Sequence, residues 1–157
     1  MKRIIITSIL LLGIFFINEA SAQQYESAVG VRAGYYFTGT YKKFVNETNA
    51  FEAYLGLSGY YGGVVVGALY QIHKPLENLG VDNLQWYYGG GAYAGTGGYW
   101  NDANFYAGLN LNIGLDYVFD EFPINVSVDW APGINLVGGI RPSWAVGGLA
   151  VRYVLDK

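Results

Sequence analysis

The sequence contains no cysteine, a single histidine and a single methionine. Without thiols there is no disulfide framework, no thiolate metal site and no lipid-carrying cysteine behind the N-terminus. One histidine with no cysteine also leaves too few ligands for a metal centre, and no cofactor is expected. Charge is scarce, at 13% of residues. Setting aside Lys2, Arg3 and Glu19 leaves 9 − 2 = 7 basic and 12 − 1 = 11 acidic residues. That balance supplies no basic patch for phosphates, so nucleic acid is excluded as a partner. After residue 22 no apolar run approaches the roughly 20 residues that a membrane-spanning helix needs.

What is present begins with a leader. Lys2 and Arg3 precede a nearly unbroken apolar stretch, Ile4 to Ile17, and Ala20-Ser21-Ala22 forms a small-x-small site before Gln23. That order is the pattern of a cleavable secretory signal peptide over residues 1–22. Residues 23–157 are then one extracytoplasmic domain, in a bacterium by the form of the leader. This region is rich in glycine and tyrosine, which number 23 and 15 across the chain. It is more apolar than a soluble domain of its size should be.

Period-two alternation fills the domain and predicts strands with two unlike faces. In the clearest, Leu109, Leu111, Ile113, Leu115, Tyr117 and Phe119 oppose Asn110, Asn112, Gly114, Asp116 and Val118. Past the Asp120-Glu121-Phe122-Pro123 connection, Ile124, Val126, Val128 and Trp130 oppose Asn125, Ser127 and Asp129. The whole pattern predicts eight strands, at residues 28–37, 40–46, 50–60, 63–73, 84–95, 106–119, 124–132 and 143–155. Their outer connections are expected at 38–39, 61–62, 96–105 and 133–142. In the second strand the inward lysine is either Lys42 or Lys43.

One face is aliphatic and aromatic; the other is Gly, Asn, Ser and Gln with a handful of charges. A soluble barrel hides its apolar face and coats the outside with charge, and this polar face has too few charges to serve as a coat. The inverse arrangement works: apolar residues toward lipid, small and polar ones inside. Closure then removes the sheet edges that lipid could not satisfy. The expectation is an all-β protein, an eight-stranded antiparallel up-and-down transmembrane β-barrel in the bacterial outer membrane. With an even strand number both termini lie on the periplasmic side. Two aromatic girdles are expected: Tyr70, Trp86, Tyr88, Tyr117, Phe119 and Tyr153 at the periplasmic boundary, and Tyr35, Phe37, Tyr61, Tyr106, Trp130 and Trp144 at the outer one.

Five segments carry a resemblance to known proteins: Gly30-Val31-Arg32-Ala33-Gly34, Thr40-Tyr41-Lys42-Lys43-Phe44, Trp86-Tyr87-Tyr88-Gly89-Gly90-Gly91, Pro123 to Trp130, and Val151-Arg152-Tyr153. Over the whole mature region the chain resembles the small eight-stranded outer-membrane barrels, the outer membrane protein X-like and opacity-protein-like group, most of all the versions common in Bacteroidota. The resemblance implies that the last strand is a terminal assembly signal, with Tyr153 and Leu155 at its outward positions. It departs from relatives that end on an aromatic residue, since Asp156 and Lys157 follow. Outer-membrane lipids and the barrel assembly machinery are the implied partners, and a monomer is expected.

Arg32, Glu52, Asp116, Asp129 and Arg152 all fall on the inward face. Isolated charges in a narrow interior cost several kcal/mol each, so these should pair, with Lys42 or Lys43 as a third cation. The reading is a salt-bridged plug without catalysis; a gated pore is the alternative that the same charges allow. Ser–His hydrolysis would have to use His73, with Ser58 or Ser127 as nucleophile and Glu52 or Asp129 as orienting acid. His73 is expected at the periplasmic rim, far from Ser58 and Asp129, which argues against a lipid-acting enzyme such as a lipid A deacylase. Gly89-Gly90-Gly91 and Gly95-Thr96-Gly97-Gly98 precede no helix, so a nucleotide cradle is not indicated. The function expected is that of a non-enzymatic barrel serving envelope structure or surface contact.

Overall fold

The computed structural model describes residues 24–58, 63–76, 80–97, 105–144 and 147–156. The expected signal peptide lies outside the described residues. Ten strand segments follow one another: β1 Ser27–Gly34, β2 Tyr36–Phe44, β3 Asn49–Ser58, β4 Val64–Pro75, β5 Leu84–Thr96, β6 Phe105–Val118, β7 Ile124–Trp130, β8 Gly133–Val137, β9 Arg141–Ser143 and β10 Gly147–Asp156. All pairings are antiparallel, β1 pairs with β10 and β5 with β6, and the sheet closes on itself.

The ten segments make eight staves. Against β6, the register Ile113↔Trp130 continues unshifted into Asn110↔Gly133, so β7 and β8 are one stave. Only Ala131 and Pro132 interrupt it. Pro132 has no N–H to give the ladder, yet its carbonyl still accepts from Leu111 N at 2.8 Å. Likewise β9 and β10 line up along the same neighbouring stave, Ser143 paired with Gly133 and Gly147 with Trp130. Closure also requires a stagger. Following cross-strand partners from Gly30 through Thr40, Tyr54, Gly67, Tyr93, Gly108 and Asn135 leads to Arg141. Directly across from Gly30 on that same stave is Arg152, so the offset is 152 − 141 = 11 residues. Such a stagger is what tilts the strands of a closed barrel.

The barrel is inverted relative to a water-soluble one. From Phe37 to Phe44, β2 alternates exposed and buried at every step. Leu55, Leu57, Leu109, Leu111, Ile113, Val128, Leu149 and Val151 are exposed, while Lys42, Glu52, Gln71, His73, Asp116, Asn125 and Arg152 are buried. An apolar surface running round the whole wall far exceeds the few hundred Å² that a soluble monomer exposes.

Glycine makes the narrow interior fit. The ring of Tyr54 occupies the space beside Gly67, Tyr87 that beside Gly114, Tyr93 that beside Gly108 and Tyr106 that beside Gly95. Each inward tyrosine lies where a neighbouring strand has no side chain. At Gly67 the Ala92 carbonyl also stands 2.9 Å from where a Cβ would be. Gly67→Val is therefore expected to displace Tyr54 and cost about 1–3 kcal/mol. Chemical unfolding of the detergent-solubilised barrel checks this, and adding Tyr54→Ala should recover part of the loss.

Three expectations from the sequence are corrected. The first connection is at Tyr35, between β1 and β2, and not at 38–39. Ala33 pairs with Phe37, four positions on, so the turn leaves the odd-numbered outward phase intact and alternation alone does not reveal it. Residues 133–142 are not a loop. They hold β8, β9 and a turn at Gly138 and Gly139, whose φ values of 82° and 107° suit glycine. Pro142 is accommodated because, among the described residues, β9 pairs only with β8. Finally, Tyr106 belongs to no outer girdle: it is half-buried, and its hydroxyl reaches that of Tyr36 at 3.4 Å. Trp130 is exposed but sits mid-stave, seven residues before Val137. Tyr61 lies outside the described residues. At the end holding the termini, Trp86 and Tyr88 stack at 5.2 Å, and Tyr117 meets Phe119 edge-on at 4.9 Å.

Candidate functional site: an ion-pair network inside the barrel

The inward positions of seven staves converge on one buried network. Arg152, on β10, is at its centre and is 1% exposed. Its Nε donates to Thr40 Oγ1 at 3.0 Å, and Nη1 to Asn125 Oδ1 at 3.0 Å and Ser127 Oγ at 2.8 Å. Its Nη2 donates to Glu52 Oε1 in a salt bridge. The other Glu52 oxygen accepts from Gln71 Nε2 at 2.8 Å. Next to this cluster, Lys42 Nζ donates to Asp116 Oδ2 at 2.8 Å, stands 3.9 Å from Glu52 Oε2 and lies 4.6 Å from the centre of the Tyr87 ring. Asn125 Nδ2 donates to the remaining Asp116 oxygen.

A second pair lies toward the end opposite the termini. Arg32 holds Asp129 with two donors, Nε to Oδ2 at 3.2 Å and Nη2 to Oδ1, and Tyr87 Oη donates to Asp129 Oδ2 at 3.1 Å. Tyr87 thus touches both groups of charges. The two clusters contain three cations, Arg32, Lys42 and Arg152, and three carboxylates, Glu52, Asp116 and Asp129. A neutral, multiply hydrogen-bonded set is the condition under which buried charges persist.

All five charged residues expected inside are therefore in the network, in two groups. The choice between the lysines falls to Lys42: Lys43 points outward and pairs with Glu26 at 3.6 Å, with half of its side chain exposed. Sequence reasoning missed the neutral partners. Thr40, Gln71, Tyr87 and Asn125 stand on the inward parity of their strands, so the signal was available. It also missed the floor. Tyr25, Ala28, Phe44, Ala50, Val118 and Val154 form a buried apolar cluster at the end holding the termini, with Tyr25 and Phe44 edge-to-face at 5.1 Å. Tyr25 precedes the first strand, where no periodicity could mark it.

His73 is not the rim residue expected. It is fully buried, stacked on Tyr87 at 4.9 Å and tilted against Phe44 at 4.8 Å. Its Nε2 stands 3.6 Å from Asp116 Oδ2, too far for a good hydrogen bond. β4 continues past it to Pro75, which carries the histidine below the rim. Ser127 is occupied by Arg152, and the Ser58 side chain lies outside what is described. Among the described residues no group of three or more acidic, histidine or cysteine side chains is placed to hold a metal ion.

No family model matches the chain, and no curated protein matches it. Solved structures do. The chain is similar to Neisserial surface protein A (NspA), with 14% identity over 82% of this chain and 93% of that one and a TM-score of 0.45. It is also similar to the N-terminal β-barrel domain of Pseudomonas aeruginosa OprF, with 16% identity over 83% of this chain, 98% of that domain and a TM-score of 0.63. At that identity the likeness is one of architecture, and the architecture is the closed eight-stranded antiparallel β-barrel.

Proposed function

We propose that the protein is an integral outer-membrane β-barrel that serves envelope structure or surface contact and not catalysis. The observation that carries this is the inverted wall: exposed aliphatic residues on staves all round the barrel, enclosing a charge-paired interior. Water would penalise such a surface, whereas lipid requires it, and a closed sheet satisfies every backbone group at membrane depth. The finer assignment, to the outer membrane protein X-like and opacity-protein-like barrels in their Bacteroidota form, rests on the five segments that carry the resemblance. Lipids are the partners of the wall. The assembly machinery is the partner of the last strand, through Tyr153 and Leu155, and the barrel acts as a monomer.

The mature protein is expected in outer-membrane fractions, resistant to carbonate extraction, with gel migration that changes on heating. Release as a soluble monomer would refute the proposal. The pore reading is tested separately. Arg152, Lys42 and Glu52 are buried inside the barrel, and the Tyr25–Phe44 cluster is buried at one end. Planar-bilayer recordings on the purified protein should therefore show no stable ion conductance; reproducible, ion-selective openings would overturn the closed interior. A catalytic role is disfavoured by the surroundings of His73, which is walled in by Phe44, Tyr87 and Asp116.

A further inference from the structure

The chain has one histidine, and the ion pairs of the interior balance without it. Three cations, Arg32, Lys42 and Arg152, meet Glu52, Asp116 and Asp129, and among the described residues no other carboxylate is buried. His73 stands at the edge of that set, 0% exposed, with neither ring nitrogen hydrogen-bonded. Its Nε2 is 3.6 Å from Asp116 Oδ2, and Lys42 Nζ donates to that same oxygen at 2.8 Å. The other Asp116 oxygen is taken by Asn125. Histidine and lysine thus address one acceptor, and the lysine holds it.

A proton on His73 upsets the balance. The imidazolium is a fourth buried positive charge with no carboxylate of its own, and an uncompensated buried charge is strongly penalised. The groups around the ring leave it one partner. Phe44 on β2 and Tyr87 on β5 cover it at 4.8 and 4.9 Å and offer only their rings. Tyr25 packs on Phe44, its hydroxyl buried and unpaired. Lys42, also on β2, carries like charge, and Arg152 on β10 is held by Glu52. Asp116 on β6 is the acceptor within reach. Lys42 already has a second carboxylate beside it, Glu52 on β3, with Oε2 at 3.9 Å. A small movement therefore transfers the lysine from one carboxylate to the other.

We infer that His73 is an acid switch within the network: neutral, it leaves Asp116 to Lys42, and protonated, it takes Asp116 and drives Lys42 onto Glu52. Glu52 then serves both Arg152 and Lys42, and the interior holds one positive charge in excess. The cost falls on the network and on Phe44, through which His73 meets the apolar floor at the end holding the termini. Acid thus loosens the barrel from inside, at that end. The sign follows from the charge count. In the unfolded chain the histidine takes up its proton in water at about pH 6.5, whereas in the folded barrel the proton costs an ion pair. Stability is therefore full at neutral pH and falls as pH drops through that value.

Histidine is the side chain whose ordinary titration lies between pH 5 and 8, so a tag-free protein with a single histidine gives a direct test. The folded-to-unfolded ratio is measured by urea unfolding in maltoside micelles at pH 7.5 and 5.0. In the parent it should fall roughly tenfold at the lower pH, the equivalent of about one unit of resistance to the proton. His73→Phe keeps a flat ring against Phe44 and Tyr87, and its ratio should change by less than about twofold. A parent ratio independent of pH would overturn the switch, and so would an acid response that survives in His73→Phe. If that variant does not fold, nitrogen NMR of the parent decides. The imidazole should pass from neutral to protonated over the interval in which stability falls, with the Lys42 ammonium signal moving alongside. A ring that stays neutral in the folded barrel, or that protonates with Lys42 unmoved, would overturn the inference.

Discussion

Replacing Arg152 with methionine is expected to cost about 3–5 kcal/mol of barrel stability. Methionine is close in length and would fill much of the same volume, so the loss is electrostatic more than steric. The guanidinium reaches Thr40, Asn125, Ser127 and Glu52, each on a different part of the wall except the neighbours on β7. Without it, Glu52 is left 2% exposed with Gln71 as donor and Lys42 at 3.9 Å, a cation already committed to Asp116. An uncompensated buried charge is the expensive outcome, whereas removing both charges is often nearly neutral. Adding Glu52→Gln to Arg152→Met should therefore recover a large part of the loss, a coupling that a double-mutant cycle measures. Guanidinium unfolding of the purified barrel in micelles provides the readout. A loss below about 1 kcal/mol would place the pair in the range of exposed ion pairs and mean that solvent screens it.

This network also shows how far the sequence is legible. Inward parity alone identifies Arg32, Glu52, Asp116, Asp129 and Arg152 as interior charges, because a strand's side chains have a period of two. Pairing is another matter. Glu52 and Arg152 are 100 residues apart, Arg32 and Asp129 97. Which carboxylate meets which cation depends on the stagger of the closed barrel, which no single strand encodes. The sequence alone leaves Lys42 and Lys43 undecided because one residue of phase separates them; β2 fixes the phase by burying Phe44.

The mistaken boundaries have the same origin. A connection that inserts an odd number of residues between outward positions, as Tyr35 does between Ala33-Gly34 and Tyr36-Phe37, preserves the alternation and is invisible to it. The connection expected at 133–142 is strand instead: the stave runs on past Pro132, which keeps a carbonyl in the ladder, and Gly138 and Gly139 form the turn at its end. Periodicity locates faces well and ends poorly.

Changing Tyr153 to aspartate should remove most of the protein from the outer membrane while leaving the folded barrel nearly as stable as before. Tyr153 is outward and 56% exposed, paired across the sheet with Val29 on one side and Ile124 on the other. It lies near the end that holds the termini, so an aspartate there would meet the interfacial zone and not the middle of the hydrocarbon. The direct cost is roughly 0–1 kcal/mol, rising with depth, too little to unfold a barrel held by the Arg152 network. The interior should be unaffected, since Arg152 and Val154 on either side face inward. If Tyr153 and Leu155 are read by the assembly machinery, the defect is kinetic: slow insertion, periplasmic degradation and low yield in the membrane, with refolding into detergent largely preserved. Yield in outer-membrane fractions, measured beside refolding of the same variant from denaturant, separates the two contributions. Parental membrane levels would mean that the last strand closes the barrel without addressing it; failure to refold in detergent would mean that Tyr153 stabilises the wall itself.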